Sequence, residues 1–474
     1  MVFSSRIFLF VFLPIALLVY FVTPRRFRRV PLLVISLVFY GWAGLDFLLV
    51  LAGCTLIDFA GGWLTGSLRE EREKLAKIVI GLSVAGNLLL LAYFKYFNFF
   101  MSSVNGATGL DLPLRQIILP LGISFYVFGG ISYLLDVNSG KIGAEKNFLS
   151  FALFMSFFPK MMQGPIERYG NLSRQIAQSE PSSERFARGA FRFVLGMSKK
   201  VLIADPIGLM VNQIYANPAL GNSAAVAWLG AIGYTLQIFF DFSGYTDMAI
   251  GLANMLGFDL MENFNFPYIA TSIGEFWRRW HISLSSWFRD YVFLPLEFKR
   301  RKQKVFRQQS NTLIVFFLTG LWHGASWNFV VWGLWHGLFI VFERVFNLPK
   351  ARFKVPRGAR WLITLLALIV GWVLFRSPNL GYAFDTLGVM FGAVKAVDAT
   401  ATLSWYLNPK LLLVLGAAIL ACVPWLQVFP KVVERYRGTI TATLAQDASF
   451  VLLLAASIIS VIASAYSSFI YFQF

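Results

Sequence analysis

Residues Thr312–Gly324 read TLIVFFLTGLWHG, an uncharged apolar run holding one histidine, His323, and leading into Ala325-Ser326-Trp327-Asn328. Apolar runs recur from one end of the 474-residue chain to the other. Ile7–Val22, Leu32–Val50, Ile78–Tyr93, Ala225–Phe240, Trp361–Phe375, Leu411–Val428 and Phe450–Phe472 meet or approach the roughly 20 apolar residues of a bilayer-crossing helix. Hydrophobic residues make up 57% of the chain and charged ones 14%, against about 45–50% and roughly 25% in soluble domains. So few charges cannot hydrate a soluble surface of this size. The expected fold is all-α, a polytopic integral membrane protein.

A net charge of +18 would suit a nucleic-acid binder, but its placement argues otherwise. The basic residues cluster in short connections: Arg25 to Arg29, Lys299 to Arg307, Arg344 to Arg360 and Lys431 to Arg437. That is the positive-inside pattern, which assigns all four to the cytoplasm. Ser377 to Asn408 is nearly free of basic residues and is expected outside, as is the N-terminus. No nucleic-acid partner is expected. The first apolar run follows only Arg6 and lacks a small-residue cleavage site, so it reads as an uncleaved helix rather than a secretory leader. Cys54 and Cys422 have neither metal-ligand nor disulfide spacing and read as small packing residues.

Residues 1–474 are expected to form a single transmembrane domain in three stretches. Residues 1–135 read as helices with short connections, and 360–474 as spanning helices around an outer excursion. In 147–350, polar pieces meet membrane depth. Lys160–Pro181 contains Gln163-Gly164-Pro165, Glu167 and Arg168, and cannot face lipid because its backbone groups would lack partners. In Glu262–Arg307, the spacing of Phe276, Trp277, Trp280, Leu284, Trp287, Phe288 and Tyr291 predicts an amphipathic helix at the interface.

The chain has three histidines, His281, His323 and His336. An ionisable residue inside a spanning segment is costly and marks a pathway or site. Apolar surroundings favour the neutral imidazole, the form that accepts a proton. The competing role for His323 is a hydrogen-bonded tie between helices. His281, beside Arg278 and Arg279, suits an interfacial position equally, and His336 reads as a packed helix residue. Leu321-Trp322-His323-Gly324 recurs as Leu334-Trp335-His336-Gly337, thirteen residues on. On one continuous helix that offset would separate the two histidines around the axis. Asp241-Phe242-Ser243-Gly244-Tyr245-Thr246-Asp247 ends an apolar run; its carboxylates suit a cation, a pathway or a helix cap, and Asp247 before Met248–Leu256 fits a cap. No Walker A, G-x-S-x-G or H-E-x-x-H motif occurs, and no metal site is expected.

Several segments together resemble the membrane-bound O-acyltransferase family. They are Leu121-Gly122-Ile123-Ser124-Phe125-Tyr126, Phe157-Phe158-Pro159 through Gly164-Pro165, and Asp241 through Gly251. Met261-Glu262-Asn263-Phe264 follows, leading into Phe276-Trp277-Arg278-Arg279-Trp280-His281-Ile282-Ser283-Leu284-Ser285, and then Gly320 through Ala325. Within the family the chain is most similar to the bacterial branch of alginate O-acetyltransferase membrane subunits. Gln163, Glu167 and Arg168 depart from that branch and leave the acceptor polymer open.

The resemblance implies an inner-membrane protein of about eleven spanning helices around a central funnel. It assigns His323 as the essential histidine and His281 as a second catalytic candidate. Gln163, Asp241, Tyr245, Asp247, Trp322 and Asn328 become candidates for lining the tunnel. The implied activity is acetyl transfer from cytosolic acetyl-CoA, a substrate rather than a bound cofactor, to a periplasmic or membrane-anchored acetyltransferase partner of an exopolysaccharide complex. His323 would be a general base, and a transient acetyl-His323 stays open. Peptidoglycan or another envelope glycan is the alternative acceptor. A transporter or channel is the competing class, against which stands the lack of recognisable inverted repeats.

Overall fold

A computed structural model describes residues 1–303, 305–346, 355–397, 401–436 and 438–463. Among these residues every regular element is helical and no strand occurs, in line with the apolar patterning. The described chain forms two compact units, one of 1–193 with 246–262 and one of 194–245 with the residues from 263 on. Lys304, 347–354 and Arg437 of the basic clusters, 398–400 of the outer excursion and 464–472 of the last apolar run lie outside the described residues.

In the first unit, a π-helical turn (Phe8–Phe12) runs into α1 (Leu13–Val22). Then come α2 (Arg29–Gly41), α3 (Leu45–Leu68), α4 (Glu73–Leu91), α5 (Phe97–Thr108), α6 (Ile123–Ser139), α7 (Phe148–Ser156) and α8 (Tyr169–Ala177). α1 stops at Thr23, whose backbone is extended because Pro24 clashes with a helical predecessor. The expected run Leu32–Val50 is divided between α2 and α3. Ala43 N donates to Tyr40 O and Gly44 N to Gly41 O, both at 3.1 Å, and these bonds turn the chain. The Gly-Pro stretch 157–168 between α7 and α8 is non-helical and buried throughout. Protein, not lipid, surrounds it, as its free backbone groups require.

α9 (Ser183–Ser198) begins in the first unit and continues into the second. The second unit continues with α10 (Asp205–Ala216), α11 (Ala224–Met255, whose end belongs to the first unit), α12 (Ile273–Arg279), α13 (Ile282–Phe288) and α14 (Leu294–Lys299). Next are α15 (Arg307–His323), α16 (Trp327–Val345), α17 (Arg357–Arg376), α18 (Leu380–Met390) and α19 (Leu403–Tyr406). α20 (Pro409–Ala421), α21 (Trp425–Val428), α22 (Pro430–Tyr436) and α23 (Ile440–Ala463) complete it. Local chemistry sets these ends. Asn408 accepts from Leu411 N at 2.8 Å ahead of Pro409, an N-cap followed by a first-position proline. Pro424 lies within Leu411–Val428, so that run is α20 and α21 rather than one helix.

Among the described residues, five helical segments are long and apolar enough to cross a membrane: Leu45–Leu68, Glu73–Thr108, Ala224–Met255, Arg357–Arg376 and Ile440–Ala463. Phe8–Val22, Arg29–Gly41 and Pro409–Ala421 are shorter apolar helices. Their outer faces expose Leu45, Leu49, Leu82, Leu89, Leu413, Leu452 and Ile459, a surface that suits lipid and not water.

Two sequence expectations need correction. The predicted amphipathic helix over the Phe276–Tyr291 pattern is α12, α13 and the π-helical turn Arg289–Phe293 that holds Tyr291, broken at Trp280 and His281, where His281 has φ +46°. Its aromatic residues Phe276, Trp277, Trp280, Trp287 and Phe288 are buried, so they form core and not an interfacial belt. Asp247 does not cap a helix, because α11 runs unbroken through 241–247.

The Leu-Trp-His-Gly repeat acquires a packing explanation. Each copy follows a glycine, and α15 and α16 fold into a hairpin on these faces. A Cβ on Gly320 would stand 2.3 Å from Phe329 O, and one on Gly333 would stand 2.2 Å from Phe316 O. Only glycine permits such an approach, the small-residue mode of membrane helix packing.

Candidate active site

All three histidines lie in the second unit, and two of them, His281 and His323, stand together. His323, the last residue of α15, is 5% exposed, and His281, between α12 and α13, is fully buried. Their ring centres are 6.4 Å apart. Trp322 lies 5.7 Å from His281 and 4.8 Å from His323. Trp332 of α16 at 4.8 Å and Phe375 of α17 at 5.3 Å complete an aromatic enclosure around His323. Phe242 of α11 meets His281 edge-on at 4.8 Å.

Each wall is held from behind. Ser272 Oγ accepts from Glu275 N at 3.0 Å, while Glu275 Oε2 accepts from Thr271 N at 2.9 Å, a reciprocal cap on α12. Glu343 of α16 also receives Ile273 N at 2.5 Å and Gly274 N at 3.0 Å. A carboxylate there complements the positive helix start and ties α12 to α16. Asn328 Nδ2 donates to Ser377 O at 2.7 Å, joining the start of α16 to the end of α17 beside Phe375.

The polar partners of His281 determine its tautomer. Asn263 Oδ1 accepts from Ser283 N at 3.1 Å and from Ser283 Oγ at 2.9 Å. A backbone N–H can only donate, so the Asn263 atom is the oxygen. His281 Nδ1, 3.2 Å from it, therefore carries the proton. Nε2 is left with its lone pair and has no hydrogen-bond partner among the described residues.

The same unit holds a cavity of about 520 Å³, lined by chain neighbours of both histidines and by neither imidazole, within the usual range for small-molecule sites. Trp277, Ile282, Val315, Phe316, Thr319 and Ile340 form its apolar walls, and Arg278, Arg289 and Arg344 add three guanidinium groups. Ile282 directly follows His281, and Thr319 precedes His323 by about one helical turn. The cavity thus offers an apolar chamber for an acyl group and cationic contacts for phosphates.

The other sequence candidates separate. Trp322 and Asn328 join the histidine enclosure. Asp241 lies on α11 one residue before Phe242 and pairs with the buried Lys200 at 2.7 Å. Lys200 also holds Asp205 at 2.6 Å. Tyr245 is fully buried on the same helix. Gln163 and Asp247 fall in the first unit. Gln163 is buried with neither amide atom hydrogen-bonded among the described residues, whereas Asp247 receives Arg192 Nε at 3.1 Å and Nη2 at 2.9 Å, an ion-pair role. His336 packs against Trp332 at 5.1 Å and Trp277 at 5.5 Å, away from the Asn263 lock.

Asn263, Glu343, Trp332 and Phe375 were not singled out as site residues from sequence. Asn263 stood within a recognised motif but had no evident partner, since Ser283 and His281 are distant in sequence.

The chain matches the membrane-bound O-acyltransferase family over residues 136–384. It is 39% identical to the probable alginate O-acetylase AlgI of Azotobacter vinelandii, and 40% identical to its Pseudomonas putida counterpart, with all of both chains covered each time. It is 32% identical to the peptidoglycan O-acetyltransferase of Helicobacter pylori, over 83% of this chain and 80% of that one. The motifs that flank His281 and His323 lie inside the matched region, and the chain belongs to the membrane-bound O-acyltransferase family.

Proposed function

We propose that this protein moves an acetyl group from cytosolic acetyl-CoA across the inner membrane for O-acetylation of an exopolysaccharide of the alginate kind. The observation that carries the reading is the buried His281–His323 pair, whose chain neighbours Ile282 and Thr319 line a basic, largely apolar cavity. Acetyl-CoA enters with its phosphates against Arg278, Arg289 and Arg344 and its thioester toward the histidines. His323 takes the proton of the incoming hydroxyl as that oxygen bonds to the thioester carbonyl carbon. The C–S bond then breaks, and His323 returns the proton to the CoA sulfur. Such general-base assistance contributes on the order of 10²–10⁴-fold in rate. His281, with its ring centre 6.4 Å from that of His323, helps to shape the pocket that receives the acceptor.

The acceptor side lies with a periplasmic or membrane-anchored acetyltransferase partner that passes the acetyl group to the polymer. The full-length likeness to alginate O-acetylases favours an exopolysaccharide. Peptidoglycan is the second reading, favoured by the Helicobacter pylori relative.

Purified protein supplied with radiolabelled acetyl-CoA and the cognate partner tests the reading. Label transfer should fall at least about 10²-fold in His323→Ala, with the elution profile of a folded protein unchanged. Undiminished transfer by folded His323→Ala would overturn the catalytic assignment.

A further inference from the structure

The first unit, which holds none of the histidines, concentrates charge in a cavity of its own, of about 550 Å³. It opens where the turn Arg25–Phe27 joins α1 to α2, and Arg25, Arg26, Arg28 and Arg29 all line it. Glu180 is the one carboxylate among the described lining residues. The positive-inside rule explains the sign of this charge. It does not explain why four guanidinium groups gather in one concavity.

Two of them are built into the wall. Arg29 donates to Ala177 O at 3.1 Å and to Ser150 Oγ at 3.5 Å. Arg28 donates from Nε to Thr23 O at 3.1 Å and lies over the Tyr20 ring at 5.0 Å. Its Nη1 is nonetheless buried without a partner among the described residues. Arg26 rests over Phe27 at 4.6 Å. No carboxylate of the first unit is paired with Arg25 or Arg26 among the described contacts. Like charges gathered in one cavity, with a buried donor of Arg28 left open, are unfavourable until an anion arrives. The planar guanidinium fork matches phosphate oxygens two at a time. Basic pockets between membrane helices at the cytoplasmic side are suited to phosphate head groups.

We propose that this cavity is a binding site for a phosphate group, separate from the acyl-transfer site and supplied by an anionic lipid head group or a soluble phosphate compound. The bound phosphate bridges the Arg25–Phe27 turn to the segment after α8, where Gln178, Ser179 and Glu180 line the opposite wall.

The test uses the full chain in dodecyl maltoside, a detergent without phosphate, and follows the melting temperature. Phosphatidylglycerol, inorganic phosphate and ADP are added separately. A ligand that binds only the folded state raises the melting temperature increasingly as its concentration exceeds its dissociation constant. The expected result is a rise of several degrees with at least one of these additions, lost in Arg25→Gln/Arg26→Gln. The side chains of Arg25 and Arg26 make no hydrogen bond among the described contacts, so the double variant should melt at or above the parent's temperature without additions and keep acetyl transfer in detergent. A rise confined to phosphatidylglycerol identifies a lipid head group, and one with phosphate or ADP identifies a soluble source. If no addition stabilises the parent more than the double variant, or if the double variant keeps the full rise, the site does not exist.

Discussion

Asn263 holds His281 by its Nδ1, at 3.2 Å, through an amide oxygen that Ser283 fixes from two sides. Asn263 is a positioning residue because it acts through the imidazole. Partners of this kind, which orient a functional histidine, change activity by about 10–100-fold when removed. Asn263→Ala is expected to lower kcat on that order with little change in KM for acetyl-CoA. Asn263→Asp keeps an acceptor at the same place and should recover much of the loss. Equal activities of the two variants in a steady-state assay would reject the tautomer lock.

The three cavity arginines are expected to act on binding and not on the chemical step. Arg278→Gln removes one charge-assisted hydrogen bond, worth roughly 1.5–3 kcal/mol. The expected outcome is a rise of about 10-fold or more in KM for acetyl-CoA at nearly constant kcat. That combination marks uniform binding of ground and transition states. A fall in kcat alone would place Arg278 elsewhere in the mechanism.

Gly320 and Gly333 permit the close α15–α16 contact that carries His323. A methyl group at Gly333 would meet the Phe316 carbonyl at 2.2 Å, so the helices must separate. Overpacking of this kind costs about 1–3 kcal/mol. Gly333→Ala should lower the melting temperature in detergent and reduce acetyl transfer together. A parent-like melting curve would show that the hairpin relaxes freely.

Lys200 holds Asp205 at 2.6 Å and Asp241 at 2.7 Å in a buried setting. Removing one member of a buried ion pair costs about 3–5 kcal/mol, because the remaining charge is left without compensation. Lys200→Met should therefore be strongly destabilising. The triple change Lys200→Met/Asp205→Asn/Asp241→Asn should recover most of that loss, as read from thermal unfolding in detergent. A Lys200→Met protein as stable as the parent would exclude a structural role for the triad.

Much of this architecture was legible in residue order. The apolar runs identify helices because a 3.6-residue repeat buried or lipid-facing on all sides leaves a long uncharged stretch. Breaks were less legible. The Leu32–Val50 run conceals the turn at residues 41–44, since glycines inside an apolar stretch look the same in a packed helix as in a bend. The Phe276–Tyr291 spacing reads as one amphipathic helix, yet the backbone reverses handedness at His281, which no periodicity records. Asp247 showed its charge in the sequence but not its partner Arg192, which lies 55 residues away.

His323 is the sharpest case of this division. A histidine in an uncharged run, within an ordered set of motifs, announces itself in sequence because burying an ionisable group needs a reason. The sequence by itself determined the membrane class, the family and the residues worth testing, through composition and local order. Only tertiary structure set His281 6.4 Å from it, closed Trp332 and Phe375 around it and turned Asn263 toward His281. Those relations join helices far apart in the chain, and they depend on glycine contacts and hydrogen bonds that exist only once the helices have packed.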